Sequence, residues 1–410
     1  MIDFFRPRPQ ELACLWSRPL GPHLESFAAL LTQQGYCRLY GQRILRLATA
    51  LDQWLTKHQL RPRQLDERQA NAFLKWWQRR HHFSGDSFML EKLLEHLRKG
   101  GAIPSPVCPV KDNLLNSLIR DYEQFLRQER GLLPVTIYEC ARVARSFLRH
   151  RFPTDHIDLR QLNASDAADY AVDLSASCGQ RHLQTMTSRL RVFYRFLAMR
   201  GHISAPLADT VPTVSAPKLA HLPRYLEARD VEKVLKACDQ RTKLGKRDHA
   251  ILLFLARLGL RASEVARLSL EDIDWSSGEV CIHGKGQRLD RLPLPKDVGA
   301  ALASYLKIRA NATTTRRVFL RSKAPYEGLV AETVGSVVAR ALTRAQVSAP
   351  HRGSHLLRHS LATRMLRKGV SMAQISQVLR HQSPATTAIY AKVDLDALRL
   401  LAQPWPGGAQ

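Results

Sequence analysis

The chain has 410 residues, more than one small hydrophobic core usually organises, so two or three domains are expected. Its 62 Lys and Arg against 36 Asp and Glu give a formal net charge of +26, which favours a polyanionic partner because each phosphate that a cation neutralises releases condensed counterions. No apolar run reaches the ~18 residues of a membrane span, no signal peptide is evident, and the seven scattered cysteines include no CxxC pair. These features argue against a membrane protein, a disulfide-rich secreted domain and a zinc ribbon, and a cytoplasmic location is expected.

Two proline-rich stretches divide the chain into three predicted domains. Residues 100–112 and 203–226 lack sustained helical periodicity and concentrate residues that end helices. We therefore expect an N-terminal helical module at residues 1–105, a second helical domain at 112–204 and a C-terminal domain at 224–402.

The first two domains show signs of an internal duplication. When residues 51–74 are aligned with 147–171, the triplet Gln64-Leu65-Asp66 matches Gln161-Leu162-Asn163. Each stretch predicts an amphipathic helix, a turn that ends in an Asp or Asn N-cap, and another short helix. A duplicated helical module is the favoured interpretation. Chance similarity between two basic helical bundles is the alternative.

The second domain contains a strongly basic helix, predicted over residues 181–201. Its apolar residues form a stripe at helical spacing, and Gly201 is placed to end it. Four arginines outside the stripe are candidate contacts to a DNA backbone: Arg181, Arg189, Arg191 and Arg195. A solvated basic face is the alternative.

The C-terminal domain is predicted to be rich in helix with one small antiparallel sheet. Helices are expected from about Ala228, over residues 247–260, and from about Arg261. Residues 278–294 change to alternating apolar residues around a Gly-Lys-Gly turn, which indicates a β-hairpin. The remainder, to Leu401, is expected to be helical.

Seven polar residues of this domain form the candidate site: Arg261, Glu264, Lys285, His355, Arg358, His381 and Tyr390. Each has an ordinary explanation when taken alone: a surface ion pair worth under ~1 kcal/mol for Arg261 and Glu264, a solvated turn lysine, or a packed tyrosine. The i, i+4 pair of His355 and His359 also invites a zinc site. No third ligand lies nearby in sequence, so we expect no metal.

The residue types point to one chemistry. Metal-dependent phosphoryl transfer needs clustered carboxylates, and nucleotide binding of the P-loop kind needs a GxxxxGK[ST] loop; neither is evident. Serine hydrolysis has no use for two arginines. Attack of a tyrosine hydroxyl on a phosphodiester fits, because guanidinium groups can neutralise the transition state where a metal would otherwise act.

Four segments resemble the tyrosine recombinases, also called the phage integrase family. They are GLRASEVARLSLEDID (259–274), GKGQRLDRLPL (284–294), HLLRHSLATRML (355–366) and LRHQSPATTAIYAKV (379–393). The resemblance covers about residues 112–400, because residues 112–204 also look like the helical, SAM-like core-binding domain of that family. It implies a C-shaped clamp of helical DNA-binding domains and an α+β catalytic domain. It also implies a reaction through a 3′-phosphotyrosine, without cofactor or metal.

The resemblance assigns roles residue by residue. Tyr390 would be the nucleophile, Arg261 and Arg358 would clamp the phosphate, and Lys285 would be the general acid. His355 and His381 would assist, and Glu264 would support the site. One departure concerns Arg380, where the family commonly has glycine; this arginine is predicted either to add a DNA contact or to alter the turn before His381.

The expected partner is double-stranded DNA with specific recombination sites, bound by a homo-tetramer on two sites, with partner recombinases left open. Two alternatives remain: a type IB topoisomerase-like enzyme that nicks and reseals, and an inactive DNA-binding protein of the same fold. The biological process, whether transposition, integration or resolution, is also open.

Overall fold

The computed structural model describes residues 19–81, 83, 85–104, 114–154, 156–203, 207–215, 223–284, 288–309, 315–349, 351–381 and 383–393. The chain folds into two compact units. One unit combines Met1–Pro106 with Leu222–Gln410, and the other is Val107–His221. None of the helices in the described part of the chain is long and apolar enough to cross a membrane.

The described part of the N-terminal segment contains four helices, α1 (Gly21–Gln33), α2 (Arg38–Lys57), α3 (Glu67–Gln78) and α4 (Asp86–Lys99), with a 3-10 turn at Pro62–Gln64. Its hydrophobic core includes the fully buried Phe27 and Phe73. Ala324 of the C-terminal segment packs against this core. Nearby, the backbone N–H of Tyr326 donates to the Gln34 carbonyl at 3.3 Å. These contacts join the N-terminal and C-terminal segments within one unit.

The second unit repeats the same order of elements: α5 (Leu114–Gln128), α6 (Pro134–Arg151), a 3-10 turn (Leu159–Gln161), α7 (Ala164–Ser175) and α8 (Gln180–Met199). A 3-10 turn at Leu207–Asp209 follows. The helix α8 buries most of its predicted apolar stripe, and Gly201 follows it with a φ of +73°. Since this region of backbone space favours glycine, the sequence pattern located the helix end correctly.

The predicted capped turns occur in both segments. Asp66 caps α3 by accepting from the backbone N–H of Gln69 at 2.9 Å, and Asn163 caps α7 by accepting from the N–H of Ser165 at 2.9 Å. Both caps are reciprocal, because the third helical residue, Gln69 or Asp166, accepts from the backbone N–H of the capping residue.

The C-terminal segment is mostly helical: α9 (Ala228–Lys236), α10 (Lys243–Arg257), α11 (Ala262–Arg267), α12 (Lys296–Leu306), α13 (Ala331–Arg344), α14 (His355–Arg367), α15 (Met372–Val378) and α16 (Pro384–Thr387). A 3-10 turn at Leu270–Asp272 follows α11, and another at Ala388–Val393 follows α16. The helix α10 is buried along most of its length, as its apolar sequence predicts.

The small sheet has three antiparallel strands in the order β1 (Ile273–Asp274), β2 (Glu279–His283) and β3 (Leu289–Pro293). Val280 pairs with Leu292 across the predicted hairpin, and Val280 is fully buried. The mostly helical fold with one small antiparallel sheet is confirmed.

Two local predictions were too helical. The apolar pattern of residues 261–275 predicts one helix, but the helix that begins after Arg261 ends at Arg267, where the chain turns into the 3-10 element and β1. The segment around residues 315–330 is extended rather than helical, with isolated bridges from Ser269 to Arg317 and from Leu320 to Gly328. Both differences arise from tertiary pairing, which a local pattern of apolar residues does not encode.

Candidate active site

Arg261 and Glu264 form a reciprocal cap at the start of α11. The Arg261 backbone N–H donates to Glu264 Oε2 at 2.8 Å, and its guanidinium Nη1 donates to Oε1 at 2.7 Å. The Glu264 side chain is only 4% exposed, so the pair is not the surface ion pair considered from sequence. Burial alone would raise the pKa of Glu264, but the Arg261 N–H and the guanidinium charges of Arg380 and Arg261 lower it.

Arg358 lies in the first turns of α14 and is buried. Its two terminal nitrogens donate to the carbonyl oxygens of Gly259 and Leu379, which joins the loop before α11 to the end of α15. Gly259 has a φ of +60°, and a Cβ there would stand 2.7 Å from the Leu379 side chain. Glycine therefore fits this corner, where any other residue would be strained and would push against Leu379. Burial lowers the pKa of Arg358 to about 10, with the Arg261 and Arg380 charges adding to the effect.

Arg380 is also part of this network. Its Nη2 donates to Glu264 Oε2 at 2.8 Å, and the two side chains are 5% and 4% exposed. Its carbonyl oxygen accepts from Arg261 Nη2 at 3.5 Å. From sequence, Arg380 was predicted either to contact DNA or to alter the turn before His381. Its side chain is buried against the Glu264 carboxylate, and its backbone takes a φ of +54° in that turn.

Tyr390 is 1% exposed and packs in a small hydrophobic cluster with Leu361, Ile375 and Leu379. Its hydroxyl lies 2.8 Å from Nδ1 of His359. Burial raises the pKa of Tyr390 to about 12, against the lowering effect of Arg358. The phenol therefore stays protonated at neutral pH and requires a proton acceptor to become a nucleophile.

His359 is the site residue that the sequence analysis missed. It was weighed only as a zinc ligand beside His355, whereas the structure places it against the tyrosine. The sequence did carry a signal for its place in the site, because His359 directly follows Arg358 and lies one helix turn after His355. Burial lowers the pKa of His359 to about 4, with His355 and Arg358 adding to the effect, so the ring is neutral near pH 7 and has a free nitrogen lone pair, but it is a weaker base than an ordinary histidine.

His381 and His355 complete the group. His381 Nδ1 lies 2.7 Å from Thr387 Oγ1, and its ring is nearly parallel to that of Tyr390, with centroids 6.4 Å apart. Burial lowers the pKa of His381 to about 4, with the Arg358 and Arg261 charges adding to the effect. His355 is exposed, and burial of part of its ring, followed by the Arg358 charge, lowers its pKa as well.

Lys285 lies outside the described residues. The strand β2 ends at His283 and β3 begins at Leu289, and His283 Nε2 lies 2.8 Å from Asp272 Oδ1, which ties β2 to the element after α11. Within the described ranges, no group of three or more His, Cys, Asp or Glu is placed to hold a metal ion.

The four arginines predicted on α8 divide into two pairs. Arg181 and Arg195 are exposed. Arg189 pairs with Glu139 at 3.0 Å, and Arg191 donates to the Val211 carbonyl at 2.9 Å, so both are engaged within their own unit.

Comparison with known proteins gives a consistent result. The profile of the phage integrase family matches residues 224–396. A putative integrase/recombinase, y4rA, of Sinorhizobium fredii is 39% identical over 410 residues, which covers 100% of this chain and 98% of the relative. A tyrosine recombinase XerD of Listeria monocytogenes is 30% identical over 287 residues, covering 68% of this chain and 95% of the relative.

Among solved structures, a XerH site-specific recombinase bound to its difH substrate in a post-cleavage complex is similar with a TM-score of 0.56. The match has 19% identity and covers 70% of this chain and 84% of the other, so it is a likeness of fold. The similarity in sequence is stronger and extends along the whole chain. The chain belongs to the phage integrase family and is a tyrosine-type site-specific recombinase.

Proposed function

We propose that this recombinase cuts and rejoins DNA through a covalent 3′-phosphotyrosine on Tyr390. One observation carries the proposal: Arg261 and Arg358 belong to a single hydrogen-bonded network that also includes Glu264 and the backbone just before His381. The turn that bears Tyr390 packs against α14, the helix that bears Arg358. Two cations and a phenol are thus held by the same elements of the fold.

The chemistry follows from these groups. The guanidiniums of Arg261 and Arg358 bind the non-bridging oxygens of the scissile phosphate and neutralise charge in the transition state. The Tyr390 oxygen forms a bond to phosphorus while the bond from phosphorus to the 5′ oxygen breaks. The phenol proton passes to His359, and Lys285 supplies a proton to the leaving 5′ oxygen. Reversal of these steps rejoins the strand.

His381 has a separate part in this scheme. When the Thr387 hydroxyl donates to Nδ1, the proton of the neutral ring sits on Nε2, which can then donate to a phosphate oxygen. His355, which is exposed, is proposed to make a similar contact to the phosphate.

The proposed substrate is double-stranded DNA with specific recombination sites, bound by four copies of the chain on two sites. The net charge of +26 supports a polyanionic partner, and XerH, whose fold is similar, has been solved with its DNA substrate. Arg181 and Arg195 are the proposed backbone contacts on α8. The proposed domains are 1–105, 112–204 and 224–402, the first a duplicate of the second, because both share one element order and equivalent capped turns.

A duplex with a nick beside the cleavage site tests the reaction. Cleavage frees the short fragment that carries the 5′ hydroxyl, and once this fragment has diffused away the strand cannot be rejoined and the covalent adduct accumulates. We expect a protein–DNA adduct that survives denaturation, forms in the presence of a chelator and is lost in Tyr390→Phe. Joining of strands from two different duplexes separates a recombinase from an enzyme that only nicks and reseals. If the phenylalanine variant still forms the adduct, or if cleavage stops in chelator, the proposal is wrong.

A further inference from the structure

Arg380 occupies a backbone position that normally requires glycine. Its φ is +54°, in the left-handed region, which is strained for a residue with a Cβ. Its N–H donates to the Gln377 carbonyl at 2.9 Å, and the N–H of His381 donates to the Ser376 carbonyl at 3.0 Å. These two bonds define a Schellman motif that ends α15, with Arg380 at the position where glycine is preferred. A strained arginine at this point needs a compensating interaction.

The compensating interaction is the buried ion pair with Glu264. The Arg380 guanidinium is 5% exposed and lies 2.8 Å from Glu264 Oε2, while its Nη1 donates to the Val378 carbonyl at 3.1 Å. Its Nε is buried and has no partner among the described residues. Glu264 thereby accepts from two arginine side chains and from the Arg261 backbone N–H.

This arrangement changes the charge around the phosphate clamp. With glycine at position 380, the two guanidiniums of Arg261 and Arg358 would stand beside one carboxylate. With arginine there, the cluster has three guanidinium charges against one carboxylate, so its net positive charge is larger by one. Glu264 bonds Arg261 and Arg380, whereas Arg358 donates to backbone carbonyls. Because the Arg380–Glu264 pair is removed from water, solvent screens this charge weakly.

We propose that Arg380 is a positioning residue for strand cleavage: its charge at Oε2 of Glu264 partly neutralises the carboxylate that binds the Arg261 guanidinium through Oε1, so that this guanidinium turns more readily to the scissile phosphate. The inference rests on the proposed function, since it assigns Arg261 to the phosphate. The pKa values of Arg358 and His381, lowered first by burial and in lesser part by the Arg380 charge, agree with a cation that acts on this site.

Three variants of the full chain test the inference. Arg380→Gly removes the charge and suits the left-handed backbone, Arg380→Met removes the charge and keeps most of the bulk, and Arg380→Lys keeps the charge. On the nicked duplex we expect Gly and Met to slow single-turnover cleavage roughly 10- to 100-fold, the range for a group that positions a catalytic side chain. Lys should recover most of the rate, and the dissociation constant for DNA should change little.

DNA with an uncharged linkage at the cleavage site separates the effect of the Arg380 charge from an effect of Arg380 on the shape of the turn. When the scissile phosphate is replaced by a methylphosphonate, there is no phosphate charge left for Arg261 to neutralise, so the wild-type chain and Arg380→Met should cleave at similar rates. If Arg380→Met slows cleavage of the methylphosphonate as much as it slows cleavage of normal DNA, Arg380 only shapes the turn and the inference is wrong. Wild-type cleavage rates for Arg380→Gly and Arg380→Met on normal DNA would also overturn it. Thermal melting checks that the variants fold. If the wild-type chain itself forms no adduct, the proposed function has failed instead.

Discussion

The Nδ1 atom of His359 lies 2.8 Å from the hydroxyl oxygen of Tyr390. Two residues 31 positions apart are thus brought together by the packing of the Ala388–Val393 turn against α14. Of the three histidines in the site, His381 uses Nδ1 on Thr387 and His355 is exposed, so His359 is the imidazole in contact with the phenol. In the tautomer that carries its proton on Nε2, Nδ1 of His359 accepts from the Tyr390 hydroxyl, which is the geometry that the proposed proton transfer requires.

Tyr390→Phe is expected to abolish the covalent adduct and to leave DNA affinity nearly unchanged, because one hydroxyl contributes little beside many phosphate contacts. It also removes the hydrogen bond to His359, which should lower the free energy of unfolding by about 1 kcal/mol. Denaturing gels measure the adduct, and electrophoretic mobility shifts measure affinity. A large loss of affinity would indicate that the substitution disturbs the fold.

His359→Asn is expected to slow cleavage by about 100-fold or more, the usual contribution of a general base. Asparagine can place an amide nitrogen or oxygen near the position of Nδ1, so the hydrogen bond to Tyr390 can persist while the proton acceptor is lost. Single-turnover cleavage of the nicked duplex provides the measurement, with His81→Asn as the control, at an exposed position three residues after the end of α3. If His359→Asn cleaves at the wild-type rate, a group other than His359 accepts the proton of the Tyr390 hydroxyl.

Stability should fall on mild acidification. His359 has a pKa of about 4 in the folded chain because of burial, below its ordinary value of 6.5. The unfolded chain therefore takes up the proton first, and the stabilisation is complete above about pH 6.5 and is lost as the pH falls towards 4. Urea unfolding between these values should show the slope, and His359→Asn should reduce it. His381 is expected to contribute in the same direction.

Arg358→Ala should destabilise the fold more than Arg261→Ala, although both should slow cleavage by orders of magnitude. Removal of Arg358 leaves the Gly259 and Leu379 carbonyls without their charged donor, at a cost of about 2–5 kcal/mol. Removal of the Arg261 side chain leaves Glu264 paired with Arg380 and with the backbone N–H. Chemical denaturation compares the two variants. Equal losses of stability would contradict the division of roles.

The sequence by itself determined the helices, the hairpin and the chemical inventory, because apolar periodicity, capping residues and glycine turns act over a few neighbours. Residues 181–201, the caps at Asp66 and Asn163, and the hairpin at 278–294 were all predictable in this way. Local spacing also showed that Arg261 and Glu264 share one end of a helix.

Only the tertiary structure decided which partner each side chain takes. The acceptor of the Tyr390 hydroxyl, the burial of Arg380 on Glu264, and the engagement of Arg189 and Arg191 all depend on residues brought together from distant parts of the chain. An arginine at position 380 is equally compatible, in sequence, with a surface contact and with an internal ion pair. Packing decides between these two alternatives, because it removes water from around Glu264, and no local sequence pattern encodes that packing.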